Sequence, residues 1–141
     1  MRVSAYPYWW NPFRWSGVVE TKNFFAVMPV DSLSPEVDPE GRMNLIYKPE
    51  ETPITLAAKK SYLGRVYLDW AKYPITETEQ LAADRPMYLV KFRDLRYEYP
   101  GVKRRPLTAG VILDEHHEVV SEIFGSRSQR AAGNERLSGG Q

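Results

Sequence analysis

Three observations predict an α+β fold, a curved antiparallel sheet of about six or seven strands packed on one long helix. β-branched and aromatic runs recur through the chain, separated by Gly, Pro, Asn and Asp. Only one stretch, from Thr52 to Tyr73, carries helical spacing. The chain has 141 residues, 43% hydrophobic and 26% charged, enough for one core without disulfides or metal.

Each element has its own signal. Phe13 to Thr21 and Asn23 to Val30 read as a hairpin, and Asp31 to Arg42, with Pro35, Pro39 and Gly41, as a loop. Met43 to Tyr47 makes a short third strand. Thr52-Pro53 supplies an N-cap and a first-turn proline. Leu56, Leu63, Val66, Tyr67 and Trp70 then predict one helix of about twenty residues, stopped by Pro74. Gly64 in its middle marks close packing or a break into two helices. Ile75 to Leu81 reads as a strand, with a short helix capped by Thr76 as the rival. Met87 to Tyr97 is a strand whose large residues change parity after Phe92, which predicts a β-bulge near Arg93-Asp94. Leu107 to Leu113 and Glu118 to Phe124 close a last hairpin. From Gly125 the composition turns to Gly, Ser, Arg, Gln and Asn, which predicts a disordered tail. The organisation expected is an aromatic entry segment over 1–12, one domain over 13–124 and the tail over 125–141.

Composition narrows the function classes. The net charge of +1 demands no strongly anionic partner, and with no cysteine there is neither a disulfide frame nor a thiolate nucleophile. No apolar run reaches the ~18–20 residues of a spanning helix. Charge is nevertheless uneven: six acids lie between Asp31 and Glu51, and seven bases between Arg85 and Arg105.

The most telling segment is Tyr6-Pro7-Tyr8-Trp9-Trp10-Asn11-Pro12-Phe13-Arg14-Trp15, with three of the four tryptophans. Such rings gather where one side is apolar and the other wet. Trp9 and Trp10 are expected to be less buried than Phe13 and Trp15, which would enter the core with Arg14 on the opposite face. Removing residues 1–10 should then cost little.

The polar candidates are fewer. Arg14 and Glu20 share a strand face and could anchor an ion pair or a ligand. Asp94, between Arg93 and Arg96, could be re-aimed by the bulge toward a cleft. Lys91, Arg93, Arg96 and Lys103-Arg104-Arg105, interleaved with Tyr97 and Tyr99, could track a nucleic-acid backbone; the near-neutral total favours a solvated sheet face and no specific nucleic acid. His116-His117, the only histidines, are better read as a turn than as metal ligands, since adjacent strand residues point to opposite faces. No metal site and no catalytic residue is assigned: Gly-x-Ser-x-Gly, His-Glu-x-x-His, a phosphate-cradling loop and a cysteine–histidine pair are all missing.

Asn11-Pro12-Phe13-Arg14-Trp15, Val18-Val19-Glu20-Thr21, Phe24-Phe25, Ala57-Ala58, Leu68-Asp69-Trp70-Ala71-Lys72-Tyr73-Pro74 and Arg93-Asp94-Leu95-Arg96-Tyr97 occur in a familiar order. Over residues 5–124 the chain resembles the C-terminal extramembrane region of bacterial membrane-bound metal-dependent hydrolases, the inner-membrane hydrolases described as LexA-regulated. The resemblance implies a divalent metal in the parent protein and no cofactor in this chain, because the family's histidine and acidic motifs have no counterpart here. It also implies attachment at the inner-membrane surface, with the parent's membrane portion or the membrane interface as partner. The expected function is a soluble, non-catalytic domain that contacts or regulates that portion or binds its substrate. The alternative is an independent ligand-binding or enzymatic module with a cleft between helix and sheet. Trp9, Trp10, Arg14, Glu20, Arg93, Asp94 and Arg96 are the contact candidates.

Overall fold

A computed structural model describes residues 1–38, 41–99, 107–125 and 127–130, the last group by backbone alone. The chain divides into two compact units, one drawn from Met1–Glu50, Trp70–Ile75 and Arg93–Thr108, the other from Glu51–Asp69, Thr76–Phe92 and Ala109–Gln141.

The first unit holds a four-stranded sheet in chain order: β1 (Arg2–Tyr8), β2 (Asn11–Glu20), β3 (Phe24–Asp31) and β4 (Asn44–Tyr47). All three pairings are antiparallel, with Tyr6 opposite Ser16, Val18 opposite Val27 and Phe25 opposite Ile46. The β2–β3 hairpin is closed by Thr21, whose amide and Oγ1 both donate to the Phe24 carbonyl, each at 2.9 Å. β1 was not foreseen, because Pro7 interrupts its pattern; at a sheet edge a proline forfeits no ladder bond. One face of this sheet carries Val18, Phe25 and Val27, which bury against Tyr73, Ile75 and Leu95, with Tyr6 and Ile46 alongside. Tyr73 is tied there by a 2.5 Å hydrogen bond between its hydroxyl and Ser4 Oγ and by the Leu95 amide on its carbonyl at 3.1 Å.

The single curved sheet on one long helix is corrected. There are two sheets, and the second runs β5 (Pro74–Gln80), β6 (Tyr88–Asp94), β7 (Thr108–Leu113), β8 (Val119–Phe124) and β9 (Arg127–Arg130) in that order. The helical stretch is two short helices, α1 (Pro53–Lys60) and α2 (Tyr62–Trp70). Ser61 divides them. Its backbone is extended (φ −61°, ψ 164°), its Oγ donates to the Ala58 carbonyl at 2.7 Å, and the same oxygen accepts the Gly64 amide at 3.0 Å. A serine oxygen that caps the next helix competes with continuation of the first. Gly64 is required by that junction, since a Cβ there would collide with the Ala58 carbonyl oxygen. Thr52 caps α1 as its sequence predicts, in a reciprocal arrangement with Thr55.

In the second unit α2 presents Tyr67, whose ring lies 5.8 Å from that of Phe92, and the buried set includes Ala58, Val90, Val111 and Leu113. Glu122 Oε1 accepts the Leu63 amide at 2.9 Å. The parity change after Phe92 has a different cause from the predicted bulge. β6 ends at Asp94 and the chain enters a 3-10 turn, Leu95–Tyr97, with Asp94 as its cap. Residues 127–130 pair with β8 as a strand, where the sequence suggests the start of a disordered tail; residues 131–141 lie outside the described residues.

Candidate contact surface

Pairing register assigns the side chains of the four-stranded sheet to two faces, because successive residues alternate. The face opposite the buried one takes Val3, Ala5 and Pro7 from β1, and Phe13, Trp15, Gly17 and Val19 from β2. β3 adds Phe24, Ala26, Met28 and Val30, and β4 adds Leu45 and Tyr47. No member of this set is charged. Ala26 is buried among its larger neighbours, yet Val3 is 62%, Phe13 51%, Leu45 47% and Tyr47 72% exposed. A strand apolar on both faces is one that expects cover on both, and open apolar sheet faces of this extent are where interaction sites are generally sought.

This register corrects the faces expected for Phe13, Trp15 and Arg14, although Trp9 is, as expected, more exposed than Phe13, and half-buried Trp15 less exposed than Trp9 and Trp10. Arg14 shares the face of Ser16 and Val18, while Phe13 and Trp15 lie on the open face. Trp10, at 44% exposed, is less exposed than Phe13. The expectation that residues 1–10 are dispensable is likewise corrected, since β1 contributes the buried Tyr8 and the Ser4 bond to Tyr73.

The hairpin end of the sheet extends the apolar surface. Trp9, 74% exposed, meets Trp10 edge-on at 5.4 Å between centroids. Trp10 in turn lies 4.9 Å from Tyr8 and 5.8 Å from Tyr99, and Tyr8 lies 4.8 Å from Tyr99. The loop after β3 is drawn to the same end by the Ser32 amide on the Phe13 carbonyl at 2.9 Å and by a bridge from Val37 to Val30. That loop shows Leu33 and Val37 to solvent. Sequence reasoning passed over both, because isolated apolar residues in an acidic loop carry no periodic signal.

The polar candidates are distributed differently. Glu20, at the far end of β2, pairs with Lys48 at 2.7 Å and Arg2 at 3.7 Å. Arg93 approaches Glu98 at 2.7 Å. Asp94 is fully buried and accepts from the Lys72 amide at 2.9 Å, the Arg96 amide at 3.0 Å and Arg96 Nε at 2.8 Å. The Arg96 guanidinium also lies 4.8 Å over the Trp70 ring, which stacks on Tyr97 at 5.6 Å and 7° between planes. Asp94 and Arg96 thus form a structural lock, with no charge left over for a ligand. Of the predicted set, Trp9 and Trp10 meet at the β1–β2 connection and Asp94 and Arg96 meet in the lock. Lys103-Arg104-Arg105 lie outside the described residues.

His116 and His117 occupy the β7–β8 turn, with His117 at φ 63°. Asp114 organises that turn by accepting the amides of His116 and Glu118, each at 2.9 Å. The Glu118 bond, against the opposing cost of desolvation and with help from the His116 bond, holds its carboxyl below the usual carboxylate range. Among the described residues no group of three or more His, Asp and Glu could hold a metal ion, and no helix is long and apolar enough to cross a membrane.

Residues 53–134 match a family described as the YfhP C-terminal alpha/beta plait domain. The match spans more than half of the chain, and the chain belongs to this family. The matched residues hold α1, α2 and the second sheet, in agreement with an α/β plait. It corrects the resemblance to metal-dependent hydrolases, to which the matched family carries no link. No curated protein and no solved structure matches the chain.

Proposed function

We propose that this member of the α/β plait family is a non-catalytic contact domain, docked through the open face of its four-stranded sheet on the membrane portion of the larger protein to which it belongs. The observation that carries the reading is the uncharged outer face of β1–β4, with Trp9, Trp10 and Trp15 at one end. A face without charge fits a permanent partner, since obligate interfaces resemble a core cut in half. Tryptophans at its end fit a contact at the level of lipid headgroups, where one side of the ring is apolar and the other wet.

These 141 residues contain no cysteine, so an introduced thiol is unique within them. Single substitutions Val3→Cys, Phe13→Cys and Leu45→Cys place a unique thiol on the face, and Lys60→Cys places one on α1 as an exposed control. In membranes holding the full-length protein, a water-soluble maleimide should label Lys60→Cys readily and the three face variants poorly. The isolated chain should label at all four. Equal labelling of all four in the membrane-held protein would remove this reading, as would disulfide-linked dimers through the face.

A further inference from the structure

The strongest unassigned feature lies on the other face of the same sheet. Tyr8 is 94% buried, as its 6% exposure implies, and its hydroxyl has no hydrogen-bond partner. Buried hydroxyls are normally partnered, and an orphan costs about 1–3 kcal/mol. Three surroundings say what could complete it. The rings of Trp10 and Tyr99 flank the phenol at 4.9 and 4.8 Å. Arg14 shares the face of Ser16, the partner of Tyr6; the register shifts between Pro7 and Tyr8, which pairs with Asn11, and the charge of Arg14 is felt at the Tyr8 hydroxyl. Its guanidinium makes no hydrogen bond or ion pair among the described residues. The acid opposite it, Asp31, is engaged by the Leu33 amide at 2.9 Å.

We infer that Tyr8 and Arg14 form a subsite for a phosphate group, with the Tyr8 hydroxyl donating to one oxygen, Arg14 gripping the others, and Trp10 as the movable cover. A phosphate offers only acceptors, which suits a site whose two free groups are both donors. The field at the hydroxyl agrees: Arg14 and Arg42 both favour a negative charge there, while burial opposes it. Trp10 sits in the two-residue connection between β1 and β2 and is 44% exposed, so it can turn outward while the strands stay paired. The inference shares Trp10 with the docking contact, but its two ligand-binding groups, Tyr8 and Arg14, lie on the side of the sheet opposite the docking face.

The test uses inorganic phosphate and glycerol 3-phosphate, followed by the indole N–H signals of the four tryptophans in a ¹⁵N-labelled chain. The Trp10 signal, assigned with Trp10→Phe, should shift saturably. Arg14→Gln should weaken binding by at least about 10-fold, as expected for a lost charge-assisted bond. Tyr8→Phe should weaken it by about 5-fold while leaving thermal stability equal or higher, because the hydroxyl it removes has no partner. Fold loss therefore cannot imitate the result. Vesicles of phosphatidylglycerol supply the second source: saturation by soluble phosphate identifies a free phosphate ligand, and a response to vesicles alone, lost in both variants, identifies a lipid headgroup. No saturable shift with any probe, or binding unchanged in both variants, overturns the subsite. Failure of the docking reading would appear only in the thiol labelling.

Discussion

Asp94 and Arg96, two residues apart, are joined twice: Arg96 Nε and Nη2 both reach Asp94 Oδ2, at 2.8 and 2.7 Å. The pair turns β6 into the 3-10 turn and presses the guanidinium on Trp70. Because Asp94 also accepts two backbone amides, its removal orphans donors in two segments of chain. Asp94→Ala should cost about 3–5 kcal/mol, the usual effect of breaking a buried pair from one side. Asp94→Asn keeps an acceptor in place and should lose less. Urea melts of the two variants check the order; equal losses would show that the carboxylate charge, and not the acceptor geometry, holds the turn.

Gly64→Ala is expected to destabilise, although alanine is better than glycine in a helix by about 1 kcal/mol. The added methyl meets backbone, the Ala58 carbonyl, which cannot rotate away. Overpacking of this sort costs about 1–3 kcal/mol. A denaturant melt showing increased stability would mean that the α1–α2 junction yields freely.

Deletion of residues 1–8 should cost at least the about 3–5 kcal/mol of losing one buried aromatic side chain, since it removes Tyr8, the Tyr6 contact and the strand that pairs with β2. Trp9→Ser, at a 74% exposed position, should stay within about 0.5 kcal/mol of the parent. Thermal unfolding of both separates the strand from the aromatic tip.

Alkaline titration reports on Tyr8. Burial, the largest cause, raises its phenol above the ordinary value, with Arg14 and Arg42 pulling it back. The folded state therefore holds the proton more tightly than the unfolded chain. This contribution to stability is complete below the ordinary tyrosine value of about 10 and is lost as pH rises through the folded value. Absorbance near 295 nm, a tyrosinate band, should show a late-ionising component that disappears in Tyr8→Phe. An unchanged titration curve would contradict the burial of that hydroxyl.

Local chemistry was the legible part of this chain. Thr52-Pro53 announced the start of α1, Thr21 and its neighbours the β2–β3 hairpin, and Asp114 with the histidines the last turn, because each depends on residues a few positions apart. The division into two sheets was not legible, since it rests on pairings rather than on pattern. β2 and β3 are apolar at successive positions, so period-2 alternation cannot say which face is buried, and Phe13, Arg14 and Trp15 were assigned to the wrong sides. Trp9, Trp10 and Arg14 were singled out as contact candidates from composition and order alone. Tyr8 and Tyr99, which complete that end, lie about ninety residues apart and meet only through the fold.

The first unit is assembled from three separated stretches of chain, and its core joins Val18, Phe25 and Val27 to Tyr73, Ile75 and Leu95. During synthesis the β1–β4 meander can pair early, but its core is not complete until Leu95 has left the ribosome. At about 5–20 residues per second, that interval lasts seconds. A nascent sheet apolar on both sides is sticky throughout it, and long-range closure of this kind slows folding. Chaperone occupancy on the emerging chain should therefore peak before β6 is complete, and swapping of β1–β4 between neighbouring nascent chains is the characteristic failure this topology invites.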